Sequence, residues 1–197
     1  MLKNKRLILA SGSPRRLDLL TQVSVVPDEV YVPSIDETSF KGERPSELVN
    51  RLSRSKAEEG AKHFSHAYVL AADTIVAVGR RIMGKPADIQ EAKQCLSLLS
   101  GRGHRVISGI TLINPDGRSS TRVVSTSVRF KRLSIRELNL YLESNEWRGK
   151  AGGYAIQGYA GAFVRHISGS YSNIVGLPLF ETVNMLTGNG YWQTNHG

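Results

Sequence analysis

Residues 67–78 read Ala-Tyr-Val-Leu-Ala-Ala-Asp-Thr-Ile-Val-Ala-Val, the most strand-like run in the chain. β-Branched and aromatic side chains suit a pleated, packed surface, so the run predicts a strand. Gly79 and two arginines then predict a hairpin turn into Ile82. One charge, Asp73, interrupts the run. Burying that carboxylate without partners costs several kcal/mol, so the strand must supply it with cations, a metal or a proton. A general base or a metal ligand answers this demand, and so do backbone donors at a strand end.

The other segments fit around this strand. Residues 6–10 predict a buried strand, followed by Ser11-Gly12-Ser13 and a helix that Pro14 opens with Ser13 at its N-cap. Leu17, Leu19 and Leu20 give that helix its apolar face. Pro45 opens a second helix to about His63, carrying Leu48, Leu52 and Lys56, and a third runs from about Asp88 to Leu99 with Ile89, Ala92, Leu96 and Leu99 at helical spacing. Residues 104–113 and 120–133 predict two strands joined by the turn Asn114-Pro115-Asp116-Gly117. Ser134 and Glu137 form a capping box for a helix ending near Ser144. After a glycine-rich loop, Gly149 to Gly158, come a strand over 162–167 and a helix from Pro178 to Gly188. These elements predict an α/β fold with a mixed sheet.

A length of 197 residues predicts one domain, 1–197, with room for two lobes and a polar tail from about 189. The 26 Lys and Arg against 17 Asp and Glu leave +9. This excess fits a polyphosphate pocket, a nucleic-acid stripe or solvated surface. Against the stripe, the basic residues are spread without interleaved aromatic platforms. Cys95 is the only cysteine, so no internal disulfide forms and a reducing compartment is expected. Leu7 to Ala10 is too short for a signal-peptide core or a membrane span, which gives a cytoplasmic expectation without a membrane.

The strongest chemical motif is Leu9-Ala10-Ser11-Gly12-Ser13-Pro14-Arg15-Arg16. A strand, a small-residue loop and a helix start aim free N–H groups and hydroxyls at one point, which suits an anion. The helix dipole contributes only about 0.3–1 kcal/mol there, so Arg15 and Arg16 must supply much of the grip on a phosphate. An ordinary capped helix with two solvated arginines is the bland alternative. Lys56, Lys85 and Glu37 each read as surface when taken alone. The five histidines lack metal-ligand spacing, and neither a Walker A loop nor a nucleophile elbow occurs.

Taken in order, the octapeptide, Ser55-Lys56-Ala57, Ala72-Asp73-Thr74, Gly84-Lys85-Pro86, Ser100-Gly101-Arg102-Gly103-His104, Lys150 to Gly158 and Val175-Gly176-Leu177-Pro178 resemble the Maf proteins over nearly the whole chain. The resemblance implies an elongated mixed sheet flanked by helices, related to the inosine triphosphate pyrophosphatases, with two lobes and a central cleft. It implies a nucleoside triphosphate pyrophosphatase that cleans nucleotide pools, uses Mg2+ or Mn2+ and often forms a homodimer. Asp73 matches the family's proton acceptor. Ser13, Arg15, Arg16, Lys56 and Lys85 match the phosphate region, and Glu37 with Asp73 the metal region. Arg15, Thr74 and Gln157 match the branch acting on dTTP and UTP, whereas the 7-methyl-GTP branch has Trp, Gln and Glu there. A glutamine amide both donates and accepts toward a uracil or thymine edge, while a carboxylate suits guanine. Gly153-Tyr154-Ala155 departs from the more frequent Ala-Tyr-Gly, which bears on the base pocket. The non-enzyme alternative is a basic nucleic-acid-binding or cell-division regulatory protein.

Overall fold

Leu7, Ile8, Leu9 and Ala10 are all 0% exposed, which is the burial of a strand covered on both faces. They form β1 (Leu7–Ala10). The computed structural model describes residues 5–191, so most of the expected polar tail lies outside the described residues. A mixed sheet has the order β2-β1-β3-β5-β6-β7, with β4 paired to β3. Its strands are β2 (Glu29–Tyr31), β3 (Tyr68–Val78), β4 (Arg81–Met83), β5 (Gly103–Ile113), β6 (Ser119–Phe130) and β7 (Val164–Ser168). Helices α1 (Pro14–Gln22), α2 (Pro45–His63), α3 (Ile89–Leu99), α4 (Ile135–Glu143), α5 (Tyr171–Val175) and α6 (Leu179–Gly188) complete it. No described helix is long and apolar enough to cross a membrane.

The chain divides into two compact units. Unit 1 takes the residues up to Asp73, Ser108–Val123 and those from Gly176 on; unit 2 takes Thr74–Ile107 and Val124–Val175. In unit 1, β1 runs parallel to β2 and to the start of β3. Ile8, Ala10, Val69 and Ala71 pack with Ala57 of α2 and with Ile113. Two glycines let α2 lie close to the sheet. A Cβ on Gly60 would stand 3.0 Å from Val69, and one on Gly109 would stand 2.1 Å from the Val49 carbonyl. Burying one such Leu or Ile contributes roughly 2 kcal/mol, twice a typical cap, so packing decides where α2 lies.

In unit 2, β4 returns antiparallel along β3, with Ala77 opposite Ile82, as the Gly79 hairpin predicts. Phe130, Phe163, Tyr141 and Tyr154 make a cluster of edge-on rings, and the buried Trp147 donates Nε1 to the Leu142 carbonyl at 3.0 Å. Both arms of the Ser134–Glu137 capping box form.

Several boundaries differ from expectation. β6 stops at Phe130 rather than 133, because the next backbone donors leave the ladder: Lys131 N donates to the Phe163 carbonyl and Leu133 N to Ser100 Oγ. β7 begins at Val164 because Tyr159–Phe163 tightens into a 3-10 turn. Ile89 is 46% exposed, off the buried face of α3. Ser13 occupies the N-cap of α1 without a side-chain cap bond.

Candidate active site

The loop after β1 turns on Ser11 rather than Ser13. Ser11 is buried, and its Oγ accepts from Ser13 N at 3.2 Å and from Arg16 Nη1 at 2.8 Å. Arg16 also donates Nε to the Gly176 carbonyl at 2.9 Å, tying the helix start to the turn before α6. Gly176 has φ +140, a conformation that L side chains rarely adopt. Burial lowers the Arg16 pKa from its ordinary value, and the field of Asp73 opposes this. Arg15, half-buried, is lowered by desolvation too. An arginine stays charged under either influence.

Lys56 lies on α2 eleven positions beyond Pro45, on the face that packs on the sheet. Its ammonium lies 2.6 Å from Asp73 Oδ1 and 2.6 Å from Glu37 Oε1. Lys56 and Asp73 are each 8% exposed. A carboxylate inside the strand is therefore met by a cation from the covering helix, not by backbone donors at the strand end. Glu37 sits in an exposed loop fastened to α2 by Arg51. That guanidinium donates to the Thr38 carbonyl at 2.9 Å, to Glu43 at 2.7 and 2.9 Å, and lies 4.0 Å over the Phe40 ring. A bidentate, stacked arginine is a rigid fastening, and it fixes where Glu37 can reach.

Unit 1 thus brings together Ser11, Arg16, Glu37, Lys56 and Asp73, with Ser13 and Arg15 on the same loop and helix start. Thr74, Lys85 and Gln157 belong to unit 2. Thr74 follows Asp73 directly on β3 and is half-buried; Lys85 and Gln157 are exposed. The Lys85 turn is held from behind. Gly152 N donates to the Gly84 carbonyl at 2.9 Å, and Gly153 has φ +70, where an added Cβ would stand 3.4 Å from Pro86. That left-handed backbone favours the glycine found at 153, where the family pattern more often has alanine. Ser11 and Gly176 were not singled out from sequence, although both lie in the motifs; the bonds to Arg16, local from Ser11 and long-range from Gly176, mark them.

A single family model, described as Maf-like protein, matches residues 6–189. A dTTP/UTP pyrophosphatase from Rhodopseudomonas palustris is 54% identical over 197 residues, covering 97% of this chain and 95% of that protein. Another from Paramagnetospirillum magneticum is 58% identical over 185 residues, covering 94% and 97%. Among solved structures, a nucleoside-triphosphatase / dITP/XTP pyrophosphatase from Mycobacterium abscessus aligns over 65% of this chain and 74% of its own, at 22% identity and a TM-score of 0.42. With one family model spanning almost every described residue and relatives sharing over half of the sequence, the chain belongs to the Maf family.

Proposed function

We propose that this chain hydrolyses dTTP and UTP to the nucleoside monophosphate and pyrophosphate, with Asp73 as the proton acceptor. The observation that carries the reading is the buried Asp73 with its Oδ1 2.6 Å from the Lys56 ammonium, in a unit that also buries Arg16. Relatives more than 50% identical carry the name dTTP/UTP pyrophosphatase. Lys56 engages Oδ1, which leaves Oδ2 of Asp73 to take the proton of a water. That water attacks the α-phosphorus, the bond from phosphorus to the bridging oxygen breaks, and pyrophosphate leaves with its electron pair. Arg15, Lys56, Lys85 and the Ser13 hydroxyl neutralise and orient the triphosphate. Arg16, with two donors spent on Ser11 and Gly176, contributes charge and shape to the loop.

Glu37 Oε1 and Asp73 Oδ1 both lie against the Lys56 ammonium; carboxylates are the hard donors that suit Mg2+ or Mn2+, and these two residues would hold the ion. Among the described residues no group of three or more His, Cys, Asp or Glu comes together, which suits an ion held partly by substrate phosphates. Such an ion, when bound, screens the charge growing on the phosphate oxygens. Arg15, Thr74 and Gln157 select the base, the Gln157 amide serving both the donor and the acceptor of a uracil or thymine edge.

Pyrophosphate release from a panel of nucleoside triphosphates, with Mg2+ or Mn2+, tests this. Turnover selective for dTTP and UTP, falling about 10³-fold in Asp73→Asn at unchanged fold, is expected. Preference for 7-methyl-GTP would overturn the base reading. Near-normal turnover in the variant would overturn the role of Asp73, and no release from any nucleotide would overturn the reaction.

A further inference from the structure

Unit 2 holds an open cavity of about 430 Å3 that none of the residues above uses. Gly79, Arg105, Ser127, Val128, Arg129 and His166 are among its lining, and no acidic residue is. Arg129 of β6 and His166 of β7 are direct partners across an antiparallel pair, which sets their Cβ atoms roughly 5 Å apart. Ser127, two residues before Arg129, shares its face. The register shifts immediately after Arg129, and such bulges commonly re-aim side chains at binding sites. Arg105 is exposed and gives Nη2 to the Gly79 carbonyl at 3.2 Å, which steadies its guanidinium and leaves other donors open. Arg129 and His166 are exposed, and no hydrogen bond or ion pair from either side chain occurs among the described residues. Elsewhere four arginines, Arg6, Arg44, Arg51 and Arg54, are paired with acids among the described residues. The lining gathers two guanidiniums and the imidazoles of His166 and the buried His104 around Ala77 and Val128, with no counter-charge.

We propose that this cavity is a second anion site, which takes the phosphate group of a small phosphorylated molecule. Two arginine forks and a serine hydroxyl match phosphate oxygens, and the volume lies in the range of small-molecule sites. His166 adds a further donor, and a further positive charge when protonated. The proposal does not depend on the reaction assigned to Asp73.

The test follows the ring NMR signals of His166 in the full chain during titration with inorganic phosphate, pyrophosphate or UMP at constant ionic strength. Saturable movement is expected, weakened about tenfold or more in an Arg105→Gln/Arg129→Gln double variant and retained in Lys85→Gln, a change at an exposed residue of the first site. Both arginines are exposed, so the double variant should fold, and its unchanged far-ultraviolet dichroism would show that it does. Equal response to all three probes assigns the site to phosphate itself, whereas tighter response to UMP assigns it to a nucleotide. The site is overturned by no movement, by movement that never saturates, or by movement that survives the double variant. A response to single-stranded oligonucleotide alone would replace it with a nucleic-acid face.

Discussion

Lys56 and Asp73 in unit 1 and His104 in unit 2 are titratable groups buried to a similar degree, at 8%, 8% and 4% exposure, yet they are accommodated in opposite ways. The first two are each other's counter-ion at 2.6 Å, with Glu37 adding a second carboxylate. His104 instead gives up its charge. Its Nε2 lies 2.8 Å from Tyr154 Oη, its ring stands edge-on to Phe130 at 5.0 Å, and its Nδ1 is buried without a hydrogen-bond partner among the described residues. Burial pushes its pKa down to about 4 and pushes that of Tyr154 up. A group that keeps its charge in a low-dielectric setting remains available for proton transfer and phosphate recognition, whereas one neutralised inside an aromatic cluster serves packing. The comparison separates the site from the core without reference to any relative.

Breaking the charged side should cost most. Lys56→Met leaves Asp73 buried beside Glu37 with no cation, and the expected loss is about 3–5 kcal/mol in urea unfolding. Adding Asp73→Asn should recover much of it, since the orphaned charge is then gone; a double variant as unstable as the single one would mean that Lys56 acts by packing alone. The neutral side should yield to acid. His104 binds no proton in the folded protein until about pH 4, while the unfolded chain takes one below its ordinary 6.5. Stability from this group is therefore present above 6.5 and lost as pH falls toward 4, by up to about 3 kcal/mol. His104→Gln should flatten that window of the pH–stability curve, and an unaltered slope would contradict the neutral ring. Tyr154→Phe strips His104 Nε2 of its partner and should cost about 1–2 kcal/mol in thermal unfolding. Glu37→Gln should be the mildest, under about 1 kcal/mol in stability, because that carboxylate is half-exposed.

The residues whose local chemistry is self-contained were legible in sequence. Pro45 begins α2, Ser134 and Glu137 begin α4, and the apolar run around Asp73 is β3. Asp73 was legible as a group in need of a partner, though Lys56 as that partner was not separable from a surface lysine. What stayed hidden depends on distant neighbours. β2 is three residues long with two exposed, and it forms only because β1 offers it an edge. His104 looks like any strand histidine until Tyr154, fifty residues later, is placed against it. The tie of Arg16 to the Gly176 carbonyl, 160 residues on, is likewise tertiary.

The central claim is that a water activated by Asp73 attacks the α-phosphorus, and hydrolysis of UTP in 18O-enriched water tests it most directly. The account predicts the label in UMP, with unlabelled pyrophosphate. Label in pyrophosphate would place the attack on the β-phosphorus and contradict the account.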